Sequence, residues 1–249
     1  MQHEHALALI AEIGQRFPAL SLNERLAWLA AADTQIVFTT SLGIEDQVIT
    51  DALAESLPSA RIVTLETGRL FDETVALIAE TEERYGIAIE RFHPRKEAVD
   101  AFVANYGLNG FYDSVEARHA CCGIRKVEPL GRALTGAGIW ITGIRRGQSQ
   151  NRGNIPFAEW DGERGLLKVN PLADWSLDDV KARVEANAIP INPLHARGYP
   201  SIGCAPCTRA IKPGEDERAG RWWWENDEKR ECGLHVAGAA SQLPARQTA

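Results

Sequence analysis

The sequence predicts an α/β protein whose sheet is mostly parallel and twisted, with helices on both of its faces. Short apolar runs of strand length alternate with segments in which apolar residues recur at helical spacing. Parallel neighbours in a sheet need crossover connections, and helices usually supply them. The chain has 249 residues, of which 45% are hydrophobic and 24% charged. It can therefore bury a large core without a disulfide scaffold.

The elements follow in order along the chain. Apolar residues at helical spacing, and a capping box formed by Ser21 and Glu24, predict two helices within residues 1–33, a helical arm before the sheet. Strands are predicted at 36–40, 61–65, 87–92, 139–144 and 166–169. Helices are predicted between them at 47–57, 74–85, 97–106 and 122–134. A later helix starts at Ser176 and ends before Pro190, and a loop with Pro and Gly covers 191–203.

The N-terminal sequence and the composition of the last residues predict the cellular location of the protein and its domain organisation. The N-terminus lacks the basic and apolar regions of a signal peptide, and no run of 18 apolar residues occurs. We therefore expect a cytoplasmic protein that does not insert into a membrane. Residues 1–235 are predicted to form a single domain, and the small, polar residues of 236–249 a disordered tail.

Charge is unevenly distributed in this acidic chain. The net charge of −7 argues against nucleic-acid binding. Residues 118–152, however, contain seven Lys and Arg residues and one carboxylate, Glu128. This basic stretch favours a small anionic ligand, and a solvated basic face is the alternative.

The loops that follow three predicted strands carry unusual residues. Ser41 and Gly43 precede a helix, where hydroxyl and backbone N–H groups can bind an anion, although they can equally be a cap and a turn residue. The loop after the fourth strand contains Arg145, Arg146 and Arg152, and paired arginines bind phosphate or sulfate bidentately. Because the carboxyl ends of parallel strands share one sheet edge, these loops predict a phosphate-bearing ligand there.

The cysteines fall into two pairs and a single residue. The vicinal pair is Cys121 and Cys122, and Cys204 and Cys207 form a CxxC pair. Four thiolates can bind zinc or a [4Fe–4S] cluster, while a redox CxxC and inert buried thiols are the alternatives. The adjacent pair departs from the usual zinc pattern. Cys232 lies in the basic stretch KRECGLH, where cations favour the reactive thiolate, although an incidental surface thiol is the alternative.

These motifs together resemble a known family. The chain closely resembles the assimilatory adenylylsulfate reductases, members of the wider phosphosulfate-reductase family, whose fold is adenine-nucleotide α-hydrolase-like. The matching stretches are TSLGIEDQVITD, LETGRLF, CCGIRKVEPL, ITGIRRGQS, CAPCTRAIKPGEDERAGRWWWE and KRECGLH. They extend from about residue 36 to residue 235. The vicinal pair, the CxxC pair and KRECGLH are the specific part of this match.

The resemblance implies a role for each matching residue. Cys232 corresponds to the catalytic nucleophile, Lys126 to a lysine beside the cluster, and His235 to a residue of the closed site. The implied ligands of a [4Fe–4S] cluster are Cys121, Cys122, Cys204 and Cys207. The implied substrate-binding residues are Ser41, Leu65, Gly143, Arg152, Arg218 and Arg221. Arg145 and Arg146, in the same loop as Arg152, are also assigned to substrate binding. Segment 204–235 would then carry both cluster ligands and the nucleophile.

The implied activity is the thioredoxin-dependent reduction of adenylylsulfate to sulfite and AMP through an S-sulfocysteine, in sulfate assimilation and cysteine biosynthesis. Alternatives are a 3′-phosphoadenylylsulfate reductase, which usually lacks the four cluster cysteines, and a non-catalytic module that senses redox state with a cluster or zinc. An adenylyltransferase of the same fold would be expected to carry a loop closer to SGGxDS. No thioredoxin-like domain is fused, so we expect thioredoxin as a separate partner, and a homo-oligomer.

Overall fold

A computed structural model of the chain describes residues 2–149 and 152–225. The strands are β1 Ile36–Thr40, β2 Arg61–Leu65, β3 Ile89–Phe92, β4 Ile139–Ile141, β5 Ala158–Asp161 and β6 Leu166–Val169. The α-helices are α1 His3–Arg16, α2 Leu22–Leu29, α3 Ile44–Ser56, α4 Asp72–Tyr85, α5 Lys96–Tyr106, α6 Val115–Cys122, α7 Glu128–Ala133 and α8 Leu177–Asn187. Two helices thus precede the first strand, and the second begins at the capping box of Ser21 and Glu24.

The sheet confirms the predicted fold class. Its strand order is β3-β2-β1-β4-β6-β5, and every pair is parallel except β5 with β6. The sequence pattern did not reveal β5, because this short edge strand, AEWD, carries two carboxylates and has no continuous apolar run. Gly165, with a φ of +66°, lies in the turn that leads back into β6.

Helices cover both faces of the sheet, as predicted. Successive residues of β1 point to opposite faces: Ile36 and Phe38 pack in a core with residues of α1–α4 and α8, and Val37 packs with α7 residues such as Leu130. The direction of the crossovers explains the division. The chain moves outward from β1 to β3 and then returns past β1 to β4, so right-handed crossovers place the later helices on the other face.

The predicted helix 122–134 is interrupted. The α-helix α6 ends at Cys122, a π-helical turn spans Gly123–Val127, and α7 follows. Pro129 has no N–H to donate to the carbonyl of Arg125, so the α-helical ladder cannot continue through this point. Arg125 and Lys126 lie in this wider turn, three and four residues after Cys122, and such turns are frequent at functional sites.

Several predicted features lie outside the described residues. These are Cys232, His235 and the tail 236–249. Among the helices of residues 2–149 and 152–225, none is both long and apolar enough to cross a bilayer.

Candidate active site at the edge of the sheet

A cleft opens at the carboxyl ends of the central strands. Its floor contains Thr40 of β1, Leu65 of β2 and Thr142, which follows β4. The connections that leave β1 and β4 run in opposite directions, so a crevice forms between these two strands. Open α/β sheets bind ligands in this position.

The loop after β1 is held by a buried carboxylate. Asp46 accepts hydrogen bonds from the backbone N–H of Ser41 (2.6 Å) and from its hydroxyl (2.7 Å). Between them, Leu42 has a φ of +59°, a strained conformation for a branched residue. A side chain on Gly143 would place its Cβ 2.1 Å from Oδ1 of Asp46, so glycine lets the loop after β4 approach. Both predicted contacts, Ser41 and Gly143, line the cleft around this carboxylate.

Burial raises the pKa of Asp46 to about 6, although the two hydrogen bonds from Ser41 oppose this shift. The folded state therefore binds the Asp46 proton more tightly than the unfolded chain does. The contribution of this group to the free energy of unfolding falls as the pH rises from the ordinary aspartate pKa of 3.8 to about 6.

Asp46→Asn is expected to remove this pH dependence. An amide does not titrate, and its oxygen can still accept from Ser41. The unfolding free energy of the variant, measured in urea between about pH 4 and pH 7, should gain about 3 kcal/mol relative to wild type across the window. Asp178→Asn, at an exposed position in the first turn of α8, should leave the curve unchanged. Parallel curves for wild type and Asp46→Asn would contradict this account.

Cationic side chains line the same cleft. They are Lys126, Arg152, Arg218 and Arg221. Arg221 is buried, and its Nε has no hydrogen-bond partner among the described residues. A Cβ on Gly203 would lie 2.2 Å from Nη2 of Arg221, so glycine lets this guanidinium lie close to the backbone. The cations and a buried N–H without an acceptor make the cleft suited to an anion.

The first two arginines of the loop after β4, Arg145 and Arg146, have different surroundings from the cations of the cleft. Arg145 is buried and pairs with two carboxylates, Glu45 at 2.8 Å and Glu217 at 2.7 Å. It thus joins the start of α3 to the segment that follows the CxxC pair. Arg146 donates from Nε to the carbonyl of Ile155, and neither arginine is among the residues that line the cleft.

The four paired cysteines line a second, smaller cavity. Cys121 and Cys122 come from the end of α6, while Cys204 precedes the short 3₁₀ helix Ala205–Cys207 and Cys207 ends it. None of the four forms a disulfide. Both predicted pairs therefore line the same cavity.

Polar groups surround the thiols. The Thr67 hydroxyl lies 3.4 Å from Sγ of Cys204, and Arg125 donates to the Thr67 carbonyl at 2.6 Å. Burial raises the pKa of the Cys121 thiol although Arg125 favours its thiolate. Burial, with the nearby Cys204, raises the pKa of Cys207 to about 12 against the opposing effect of Lys126. Cations thus lie close to thiols that would have to ionise on binding a metal.

The donor set suits a thiolate-ligated group. Cysteine thiolates are the usual ligands of iron–sulfur clusters, and four meet in this cavity. The indole N–H of Trp222, which lines the cavity, is buried without a partner among the described residues and is available to a sulfur acceptor. As the side chains stand, no three His, Cys, Asp or Glu side chains in residues 2–149 and 152–225 are gathered closely enough to bind one metal ion.

The two cavities share a wall. Lys126, Cys204 and Trp222 line both the cleft and the cysteine cavity. No local pattern indicated the roles of Thr67 and Asp46, because a threonine and an acidic residue are common in loops and at helix starts. The available indication of these two roles was position, because both residues lie shortly after a predicted strand, in LETGR and in SLGIED.

Comparisons with known proteins agree with this geometry. Residues 35–210 match the phosphoadenosine phosphosulfate reductase domain family. The adenosine 5′-phosphosulfate reductase of Sinorhizobium fredii is 65% identical over 231 residues, 93% of this chain and 92% of that protein. The crystal structure of phosphoadenylyl-sulfate reductase from Candida auris superimposes with a TM-score of 0.71 at 27% identity, covering 85% of this chain and 98% of that one.

A more distant neighbour shares the fold alone. The FMN adenylyltransferase of Candida glabrata superimposes with a TM-score of 0.53 at 16% identity, over 90% of this chain and 75% of that one. The family match and the close relatives, taken with the cleft and the cysteine cavity, identify the chain as a member of the phosphoadenosine phosphosulfate reductase family and as an oxidoreductase that acts on a sulfur group.

Proposed function

We propose that this protein reduces adenylylsulfate to sulfite and AMP, with thioredoxin as the reductant. The observation that carries the proposal is the wall shared by the cationic cleft and the cysteine cavity, formed by Lys126, Cys204 and Trp222. A ligand with a phosphate and a sulfate would meet cations along the cleft and lie beside the four thiols. Relatives at 65% identity carry the name adenosine 5′-phosphosulfate reductase, which supports the same substrate.

Substrate binding is assigned to groups around the cleft. Ser41, Leu65 and Gly143 belong to the three strand ends and would contact the nucleotide. Arg152, Arg218 and Arg221 would bind its anionic groups, since guanidinium forks match phosphate and sulfate oxygens. Because Arg145 pairs with Glu45 and Glu217, its assigned role is to hold the cleft loops together rather than to bind substrate. Arg146 would support the same loop through the Ile155 carbonyl.

The proposed reaction has two steps. The Cys232 thiolate attacks the sulfur of adenylylsulfate, the S–O bond to the phosphate breaks, and AMP leaves with that electron pair. The enzyme then carries an S-sulfocysteine. One thiolate of thioredoxin attacks Sγ of Cys232 and releases sulfite, and its second thiol resolves the mixed disulfide. The dithiol is oxidised to a disulfide, and sulfur is reduced from the sulfate to the sulfite level.

Positive side chains would assist the first step. Lys126 and Arg221 can stabilise charge on the transferring sulfonyl group and the leaving phosphate, and such preorganised groups commonly contribute the largest part of catalysis. His235, three residues after the nucleophile, is assigned to the closed site. The two steps need Cys232 to face first the cleft and then thioredoxin.

Cys121, Cys122, Cys204 and Cys207 would hold a [4Fe–4S] cluster. When bound, the cluster supplies thiolate-ligated charge beside the cleft and a covalent link between α6 and the CxxC segment. Protein purified without oxygen should contain roughly four irons and four acid-labile sulfides per chain. Cys207→Ser should lower both and the melting temperature, because metal binding contributes to folding. Stoichiometric zinc without sulfide would contradict this assignment.

Sulfite release tests the function. The iron-loaded protein is incubated with adenylylsulfate and reduced thioredoxin, and sulfite and AMP are quantified. Equal amounts of both products are expected. A parallel reaction with 3′-phosphoadenylylsulfate should be slower. Sulfite from the 3′-phosphorylated nucleotide alone would favour the activity named for the Candida auris neighbour, and no sulfite from either would favour a redox-sensing module.

A further inference from the structure

A buried ion pair lies behind the cysteine cavity. Nε and Nη2 of Arg118 donate to the two carboxylate oxygens of Glu225, at 2.7 and 2.9 Å. The side chains are only 1% and 3% exposed. The parallel hydrogen bonds fix both the distance and the plane of the two groups. This geometry leaves the Glu225 side chain little conformational freedom.

The pair joins two parts of the proposed machinery. Arg118 lies on α6, one turn before Cys121 and Cys122, and lines the cysteine cavity. Glu225 lies seven residues before Cys232 in the chain. The ion pair therefore fixes the start of the segment, residues 225–232, that carries the proposed nucleophile.

A strained tryptophan reinforces this point. Trp222 has a φ of +44°, an unfavourable conformation for a bulky residue that persists only when its surroundings impose it. The guanidinium groups of Arg118 and Arg221 lie 4.9 and 4.8 Å from its ring centre. Its backbone N–H donates to the Cys207 carbonyl at 3.3 Å. The chain before Glu225 is thus fixed to the cysteine cavity.

A buried ion pair contributes little net stability compared with apolar residues of the same volume, so its presence here calls for a geometric reason. Seven residues reach at most about 24 Å, so the position of their starting point limits where Cys232 can go. We propose that Arg118 and Glu225 are a positioning pair that fixes the start of this segment so that the Cys232 thiolate reaches the sulfur of the bound substrate. This inference rests on the proposed function.

The test separates positioning from stability. Arg118→Met, Glu225→Gln and the double variant Arg118→Met/Glu225→Met are compared with Arg209→Met/Glu215→Gln. The control removes a half-buried ion pair within the same chain segment. Iron-loaded proteins are mixed with adenylylsulfate without reductant, and S-sulfocysteine formation at Cys232 is followed by mass spectrometry. Melting temperature, iron content and AMP affinity are measured in parallel.

Both single variants should form S-sulfocysteine about 10- to 100-fold more slowly, since small misplacements of reacting groups have effects of this size. AMP affinity should stay within about twofold of wild type, because the pair does not line the cleft. The double variant should recover the wild-type melting temperature and remain slow, while the control stays fast. Recovery of the rate together with stability, or a loss that only follows iron content, would overturn the inference. A wild type that forms no S-sulfocysteine would overturn the proposed function and this inference with it.

Discussion

Cys232→Ser is expected to abolish sulfite formation while iron content and AMP binding stay at wild-type levels. A serine hydroxyl at neutral pH is almost entirely protonated and is a far weaker nucleophile toward sulfur than a thiolate. The four other cysteines line the cavity beside the cleft, so they would keep the cluster in this variant. Loss of activity without loss of iron would separate the nucleophile from the ligands.

The intermediate gives a second measurement of the same step. Wild-type protein mixed with adenylylsulfate in the absence of thioredoxin should gain about 80 Da at Cys232, and added dithiol should remove this mass. The serine variant should gain nothing. An unmodified Cys232, with sulfite released in the absence of any thiol, would contradict the two-step reaction and point to electrons from another source.

The strand and helix patterns were sufficient to predict the parallel strands, because buried parallel strands such as Ile36–Thr40 are rich in apolar and β-branched residues. They did not predict β5, whose edge position requires few apolar residues. The helix after Cys122 was predicted as continuous, since helical spacing does not distinguish an α-turn from a π-turn. Pro129 was the local indication of the break.

Site residues were predictable from the sequence where their role depends on residue type. They were not predictable where the role depends on partners that are distant in the sequence. Cysteine spacing predicted the thiols of the second cavity, which the fold brings together. Arg145 was grouped with anion-binding arginines because the charge of a loop says nothing of the carboxylates that face it. Glu45 lies 100 positions before Arg145 and Glu217 lies 72 after it, and only the fold brings the three together.

Lys126 is the residue through which the two cavities are expected to influence each other. It lines both, and its charge favours the thiolates of Cys121 and Cys207. In the cleft the same ammonium can stabilise charge that develops on the transferring sulfonyl group. Removing a preorganised group of this kind usually costs about 10²- to 10³-fold in kcat.

Lys126→Ala should therefore lower kcat by about 10²- to 10³-fold with little change in iron content. Lys126→Arg should recover part of the rate, because it keeps the charge but changes its shape and reach. Lys96→Ala, which removes an ammonium whose side chain is 83% exposed on α5, is the matched control and should be fully active. The measurements are steady-state kcat and KM with adenylylsulfate, alongside iron analysis of each preparation. Near-normal turnover in Lys126→Ala would mean that the lysine only packs against the wall, and a rate that falls in step with iron would mean that it acts by retaining the cluster. Only a loss of kcat in fully iron-loaded protein supports an electrostatic link between the cysteine cavity and the reacting sulfur.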